Sequence, residues 1–165
     1  MALNLNKKKT IVSKINQISN SAISAVIANY QGISVNKINE LRKLGRKLGV
    51  KMSIVRNTLL SLAIKNTNFE CLKKNIKGST FIAYSTNHPG SGARLFTEFQ
   101  KKNKKFKIIG AAFEGKLLSS LEINQLADMP TYEEAIVKFL LILKILAAGK
   151  LIYILSAIKK KKETS

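Results

Sequence analysis

At 165 residues the chain has room for one α/β body with a real core and one appended element of a few tens of residues, but not for two large domains. Lysine and arginine total 29 against 9 acidic residues, a net charge of +20, far more than solubility asks for, which points to a polyanionic partner such as RNA, DNA or acidic lipid. The single cysteine, Cys71, excludes an internal disulfide and a cysteine-built metal cluster, fits a reducing compartment and reads as a packed core thiol.

From Thr10 the apolar residues Ile11, Ile15 and Ile18 recur at helical spacing, predicting a first helix that ends near Asn20. Lys7, Lys8 and Lys9 precede it, but no unbroken apolar stretch of signal-peptide type follows, so export is not expected. Ile23 to Tyr30 reads as a buried strand. Ser34 can cap a second helix whose apolar residues Ile38, Leu41, Leu44 and Leu48 form one stripe, with Gly49 as its terminator. Val50 to Val55 follows as a strand, Asn57 to Lys65 and Phe69 to Ile76 as helical pieces, and Gly78 to Ser85 as another strand. His88 to Gly92 reads as a loop, Ala93 to about Asn103 as a helix and Phe106 to Phe113 as a fourth strand. Ser119 with Glu122, and Thr131 with Glu134 after the break at Pro130, are capping boxes that each open a helix. The expected architecture is a layered α/β (α+β) body over 1–130, with a mixed sheet of roughly four strands flanked by helices, followed by a protruding C-terminal helix over 131–165.

Charge divides the chain in the same way. Residues 1–105 hold 20 basic and 3 acidic groups, residues 106–165 hold 9 and 6, so the anion-facing surface belongs to the N-terminal two-thirds. An A/T-rich coding bias would supply some of the lysine but would also spare glutamate, so the scarcity of acids is the stronger sign. On the second helix, Arg42, Lys43, Arg46 and Lys47 fall within an arc of about 140° opposite the apolar stripe. An ordinary solvated face mixes signs for i,i+4 pairing, whereas here only Glu40 is acidic, which favours contact with RNA. Lys51 lies on the following strand. Arg56 sits at a strand-to-helix junction with Asn57 or Thr58 as cap, a placement suited to a phosphate.

Catalytic and cofactor chemistry finds little support. Gly90-Ser91-Gly92 echoes a dinucleotide fingerprint, but Leu95 stands where the third glycine belongs. His88, the one histidine, has no cysteine or carboxylate pair to work with and reads as a surface residue, while Glu133 and Glu134 at a helix start complement its dipole. No enzyme activity, metal, cofactor or small-molecule substrate is expected.

In Ala135 to Ile158, 19 of 24 residues are apolar, over a helix about 36 Å long. Lys138, Lys144 and Lys150 point in three directions about 120° apart, so no lipid-facing stripe is free of charge, and a helix sheathed by protein is the better reading than a membrane span. Ile136, Phe139, Leu140, Leu143 and Leu146, then Leu151, Ile154, Leu155 and Ile158, are the candidate partner contacts, with Gly149 as a joint between two segments. The alternative is a cationic membrane-associated or tail-anchored protein that uses the same helix and its basic flanks.

Several stretches together resemble the bacterial large-subunit ribosomal protein family conventionally numbered ten. They are Val55-Arg56-Asn57-Thr58-Leu59-Leu60, Phe69-Glu70-Cys71-Leu72-Lys73, Ile82-Ala83-Tyr84, Ala111-Ala112-Phe113-Glu114-Gly115, Pro130-Thr131-Tyr132-Glu133-Glu134-Ala135 and Ala148-Gly149-Lys150-Leu151. The resemblance runs the full length of the chain. It implies a cytoplasmic ribosomal stalk base: the N-terminal domain on large-subunit ribosomal RNA beside an adjacent stalk-base protein, the terminal helix holding dimers of an acidic stalk protein, and those dimers recruiting translational GTPases. It maps the family's Arg-Asn-Thr element onto Arg56, Asn57 and Thr58, and it implies translational autorepression through a messenger that mimics the same RNA fold. The chain departs from the family pattern at Ser79, often proline, and near Ser91 and Gly92, often alanine, where looser turns are expected. Two bound dimers are expected from the division at Gly149.

Overall fold

The computed structural model describes residues 4–163, without the side chains at 147, 148, 150 and 161–163, so the expected direction of Lys150 lies outside the described residues. The chain divides into two compact units, 1–129 and 130–165.

The first unit is built on a sheet of five strands: β1 (Ser24–Asn29), β2 (Val50–Ile54), β3 (Thr80–Ser85), β4 (Lys107–Phe113) and β5 (Lys116–Leu118). Their spatial order is β2-β3-β1-β4-β5, and every neighbouring pair is antiparallel. This corrects the expectation of a mixed sheet of about four strands. The alternation β1–helix–β2 reads as a parallel crossover, but β3 inserts between β1 and β2 in a split β–α–β arrangement and turns both contacts antiparallel. The fifth strand is a three-residue hairpin arm. Glu114 and Gly115 both take positive φ (50° and 78°), the backbone of a tight two-residue turn between Phe113 and Lys116.

Helices cover both faces of the sheet. On one side lie α1 (Leu5–Ser21), α3 (Asn57–Ala63) and a short 3-10 helix at Glu70–Asn75; on the other lie α2 (Val35–Lys47), α4 (Gly90–Lys102) and α5 (Ser120–Asp128). The core is accordingly two layers. Ala25, Ile27, Ile82 and Tyr84 meet Ile15, Leu60, Ile64 and Phe69, while Val26, Ala28, Phe81 and Ala83 meet Leu41, Phe96, Phe99 and Leu126. Burial on both faces explains why β1 and β3 read as unbroken apolar runs rather than alternating ones. Cys71 packs half-buried against the first layer.

Several boundaries differ from expectation for local reasons. The first helix starts at Leu5 rather than Thr10, because the Asn4 side chain accepts a hydrogen bond from the Leu5 N–H at 2.7 Å. Gly90, Ser91 and Gly92 form the first turn of α4 instead of a loop: Pro89 already has helical φ and ψ, the Gly90 N–H donates to His88 Nδ1 and the Gly92 N–H to Ser85 Oγ, both at 3.1 Å. His88 is therefore a half-buried structural residue, and the expected looser turn at Ser91 and Gly92 is a tight one.

The second unit is helical from Tyr132 to Glu163: α6 (Tyr132–Lys144), a π-helical turn at Ile145–Gly149, and α7 (Lys150–Glu163). Thr131 and Glu134 form the expected capping box, with the Thr131 N–H donating to Glu134 Oε2 at 3.1 Å and the Glu134 N–H to Thr131 Oγ1 at 3.4 Å.

Candidate nucleic-acid interface

The basic ridge on α2 follows from how that helix meets the sheet. Ile38, Leu41 and Gly45 form the buried line, and a Cβ on Gly45 would lie 2.6 Å from Met52 Cε, so the helix sits hard against the edge strand β2. Opposite this line Lys43, Arg46 and Lys47 are exposed and Arg42 half-buried. Leu44 and Leu48, expected in the buried stripe, are instead 49% and 48% exposed. A helix at the edge of a sheet buries a narrow face; Leu44 borders a groove between α2 and α4 that Leu95 and Phe99 floor.

Lys51 does not join that ridge. It pairs with Tyr84, whose side chain lies in the layer under α1 and α3, so Lys51 projects from the sheet face opposite α2. Its exposed charge on an edge strand also protects that edge from pairing with another chain.

Arg56, Asn57 and Thr58 sit at the far end of β2 from Arg46 and Lys47, about 16 Å away at ~3.3 Å per strand residue. The sequence-predicted RNA contacts therefore form two groups, and Lys51 belongs to neither. Arg56 itself occupies the cap position of α3, without a side-chain cap bond, and is exposed, as is Thr58. Asn57 is the first helical residue and caps nothing, contrary to expectation. Its Nδ2 donates to the Gly78 carbonyl at 2.9 Å and its Oδ1 accepts from Thr80 Oγ1 at 2.5 Å, which staples α3 to the loop before β3. Asn57 thus positions Arg56, with one Nδ2 N–H and one Oδ1 lone pair engaged inside the protein.

A further basic cluster escapes linear reading. Lys37, Lys102, Lys104 and Lys105 line one groove with Gly32, Ser34 and Asn103, and Lys37 Nζ donates to Asn103 Oδ1 at 2.6 Å. The signal is the run Lys101-Lys102-Asn103-Lys104-Lys105, but only the pairing of β4 with β1 brings it beside the start of α2.

On the second unit all nine expected partner contacts are open to solvent. Ile136, Phe139, Leu140, Leu143, Leu146, Leu151, Ile154, Leu155 and Ile158 range from 41% exposed at Ile136 to 65% at Leu151. The helical bonding changes from i→i+4 to i→i+5 over Ile145–Gly149, ending at the glycine expected as a joint. Among the described residues no helix is long and apolar enough to cross a membrane, and no group of three or more His, Cys, Asp or Glu side chains is placed to hold a metal.

The first unit is thus a strongly basic α/β body and the second an exposed, largely apolar helix, a pairing that suits a non-catalytic binding protein. The sequence profile of the ribosomal protein L10 family matches residues 3–101. Over its full length the chain is 84% identical to the large ribosomal subunit protein uL10 of Buchnera aphidicola subsp. Schizaphis graminum and 78% identical to that of Buchnera aphidicola subsp. Acyrthosiphon pisum (strain Tuc7), covering all of both proteins. It is 50% identical over 165 residues to the uL10 protein of Erwinia tasmaniensis, covering 99% of that protein. The chain belongs to the ribosomal protein L10 family, and is thus a structural constituent of the large ribosomal subunit that serves translation in the cytoplasm.

Proposed function

We propose that the chain forms the base of the large-subunit stalk. The body binds large-subunit ribosomal RNA beside an adjacent stalk-base protein, and α6 and α7 hold dimers of an acidic stalk protein, which recruit GTP-bound translation factors. The observation that carries this reading is the exposure of apolar side chains all round α6 and α7. Each such side chain is worth ~1.5–3 kcal/mol on full burial, so partial burial of the nine contacts provides on the order of 10 kcal/mol toward holding partners. Exposed Lys138 and Lys144 suit an acidic partner at the edges of that interface.

RNA binding is supported by the α2 ridge, by Arg56 and Thr58 at the α3 junction, and by the surplus of positive charge over 1–105. A messenger that folds like the ribosomal site would occupy the same surface, which would make the chain a repressor of its own translation. Pull-down from host lysate at moderate salt, with the full chain and with a truncation ending at Asp128, tests the division of labour. Ribosomal RNA should come down with both, and a small acidic protein with the full chain alone. Recovery of lipid or membrane proteins in their place would sink the reading.

A further inference from the structure

One end of the sheet gathers features that the RNA-binding reading does not use. Asn29 pairs with both Thr80 and Lys107, and Ile54 pairs with Phe81, so the end of β1, the end of β2 and the starts of β3 and β4 lie together. The turn after β1, Tyr30 to Ser34, contributes to two grooves at this end. In one, Tyr30 stands with Ile54, Arg56, Thr58 and Ser79; in the other, Gly32 and Ser34 stand with Lys37, Lys104 and Lys105.

Tyr30 is half-buried and set in advance. Its ring meets Phe81 edge to face, with centroids 6.3 Å apart, and Phe81 is buried in the core. Its N–H donates to the Ser79 carbonyl at 3.4 Å and its carbonyl accepts from the Ile33 N–H at 3.3 Å, while the Gln31 N–H donates to Asn29 Oδ1 at 2.9 Å. The groove wall is equally fixed, since Asn57 bridges Gly78 and Thr80. A half-buried aromatic residue lining a groove, with Arg56 in the same groove and Lys104 and Lys105 across the turn, matches the needs of one unpaired nucleotide. Its base can stack on the ring while the phosphates on either side meet cations. A base inside a duplex is already stacked and cannot enter such a groove.

We propose that this sheet end is a site for a single unpaired ribonucleotide of the bound RNA, with Tyr30 as the stacking platform and Arg56, Lys104 and Lys105 as flanking phosphate contacts. The site rests on the RNA-binding reading and adds a requirement that the α2 ridge does not impose: the bound RNA must present an extruded or looped base.

Filter binding of the full-length chain to deproteinised large-subunit ribosomal RNA over a potassium chloride series tests it. Tyr30→Leu should weaken binding about tenfold at every salt concentration with the salt slope unchanged, and Tyr30→Phe should bind like the parent, because stacking needs the ring and not the charge. Arg56→Gln should reduce the slope of log K against log salt by about one. Because Tyr30 also abuts Phe81, ultraviolet crosslinking of the unaltered chain to the same RNA supplies a readout independent of folding: the peptide carrying Tyr30 should be among those crosslinked. Unchanged binding by a folded Tyr30→Leu, equal damage from Phe and Leu, or crosslinks elsewhere only would each overturn the nucleotide site and leave the RNA-binding reading standing. Failure of the unaltered chain to bind the RNA would sink both.

Discussion

The hydroxyl of Tyr84 offers a sharp test of the core. Tyr84 is 1% exposed on β3, at the centre of the layer under α1 and α3, and Ser19, itself 2% exposed, lies beside it. Ser19 is near enough to temper the titration of the phenol, yet neither Ser19 Oγ nor Tyr84 Oη completes a hydrogen bond of good geometry. Burial pushes the phenol up to about 12 from 10.0. The folded state thus keeps its proton where the unfolded state releases it, so this contribution is full below pH ~10 and is lost as the pH climbs toward ~12. At pH 11 the loss amounts to about 1.4 kcal/mol, one pH unit's worth of differential protonation. Tyr84→Phe removes both the unpaired hydroxyl and the titration. Urea unfolding followed by circular dichroism should place the variant within about 1 kcal/mol of the parent at pH 7 and make it the more stable of the two by about 1.4 kcal/mol more at pH 11 than at pH 7. A difference that stays constant from pH 7 to 11 would refute the burial argument. A loss above about 2 kcal/mol at pH 7 would show that the hydroxyl is well bonded after all.

Gly92→Ala should cost about 1–3 kcal/mol in the same unfolding experiment, because its Cβ would lie 2.8 Å from Ser85 Oγ, the very atom that accepts the Gly92 N–H. Thr131→Ala should remove about 1 kcal/mol of cap stabilisation from α6 and lower the helicity of the full chain, with Thr131→Ser restoring it; equal helicity in all three would count against the capping box. Replacing Arg42, Lys43, Arg46 and Lys47 together by glutamine should lower the salt slope of ribosomal RNA binding by three to four, at about 0.9 per phosphate contact. An unchanged slope would make the ridge an ordinary solvated face.

Local chemistry was legible in the sequence and long-range pairing was not. The two capping boxes, Ser119 with Glu122 and Thr131 with Glu134, depend on contacts three residues apart, so the linear text contains them whole. The Ser119 N–H donates to Glu122 Oε2 at 2.6 Å, and that bond holds the Glu122 carboxyl below its usual range. Nothing local announces that β3 would enter between β1 and β2, and that one event sets the antiparallel sense of the sheet, puts Lys51 on the face away from α2 and leaves Leu44 and Leu48 exposed. The role of Asn57 was hidden for the same reason: its partners Gly78 and Thr80 lie more than twenty positions away. The glycines at 90 and 92 were visible as glycines, but their cause, the close approach of α4 to Ser85 and to the Leu126 carbonyl, is tertiary. The short strand β5 carried one faint cue, the Glu114-Gly115 turn, which three residues of strand could not reinforce.

Charge and greasiness in this chain are separated because they would defeat one another if mixed. A net positive body attracts a polyanion over long range and tolerates water at the interface, since phosphate contacts rely on charge and position rather than on dry packing. The helix from Tyr132 onward instead exposes mostly apolar side chains, which under the proposed function would hold partners chiefly by burial. Were the apolar residues spread over the body, they would invite association of its RNA-facing surface with other proteins; were the lysines spread densely along α6 and α7, each would have to be desolvated or led to an interface edge. The capping boxes at Ser119 and Thr131 lie on either side of the division between the units, so the last helix of the body and the first helix of the second unit each start from their own signal. Under the proposed function, two independently initiated units would let RNA affinity and partner affinity vary by substitution in one without penalty in the other.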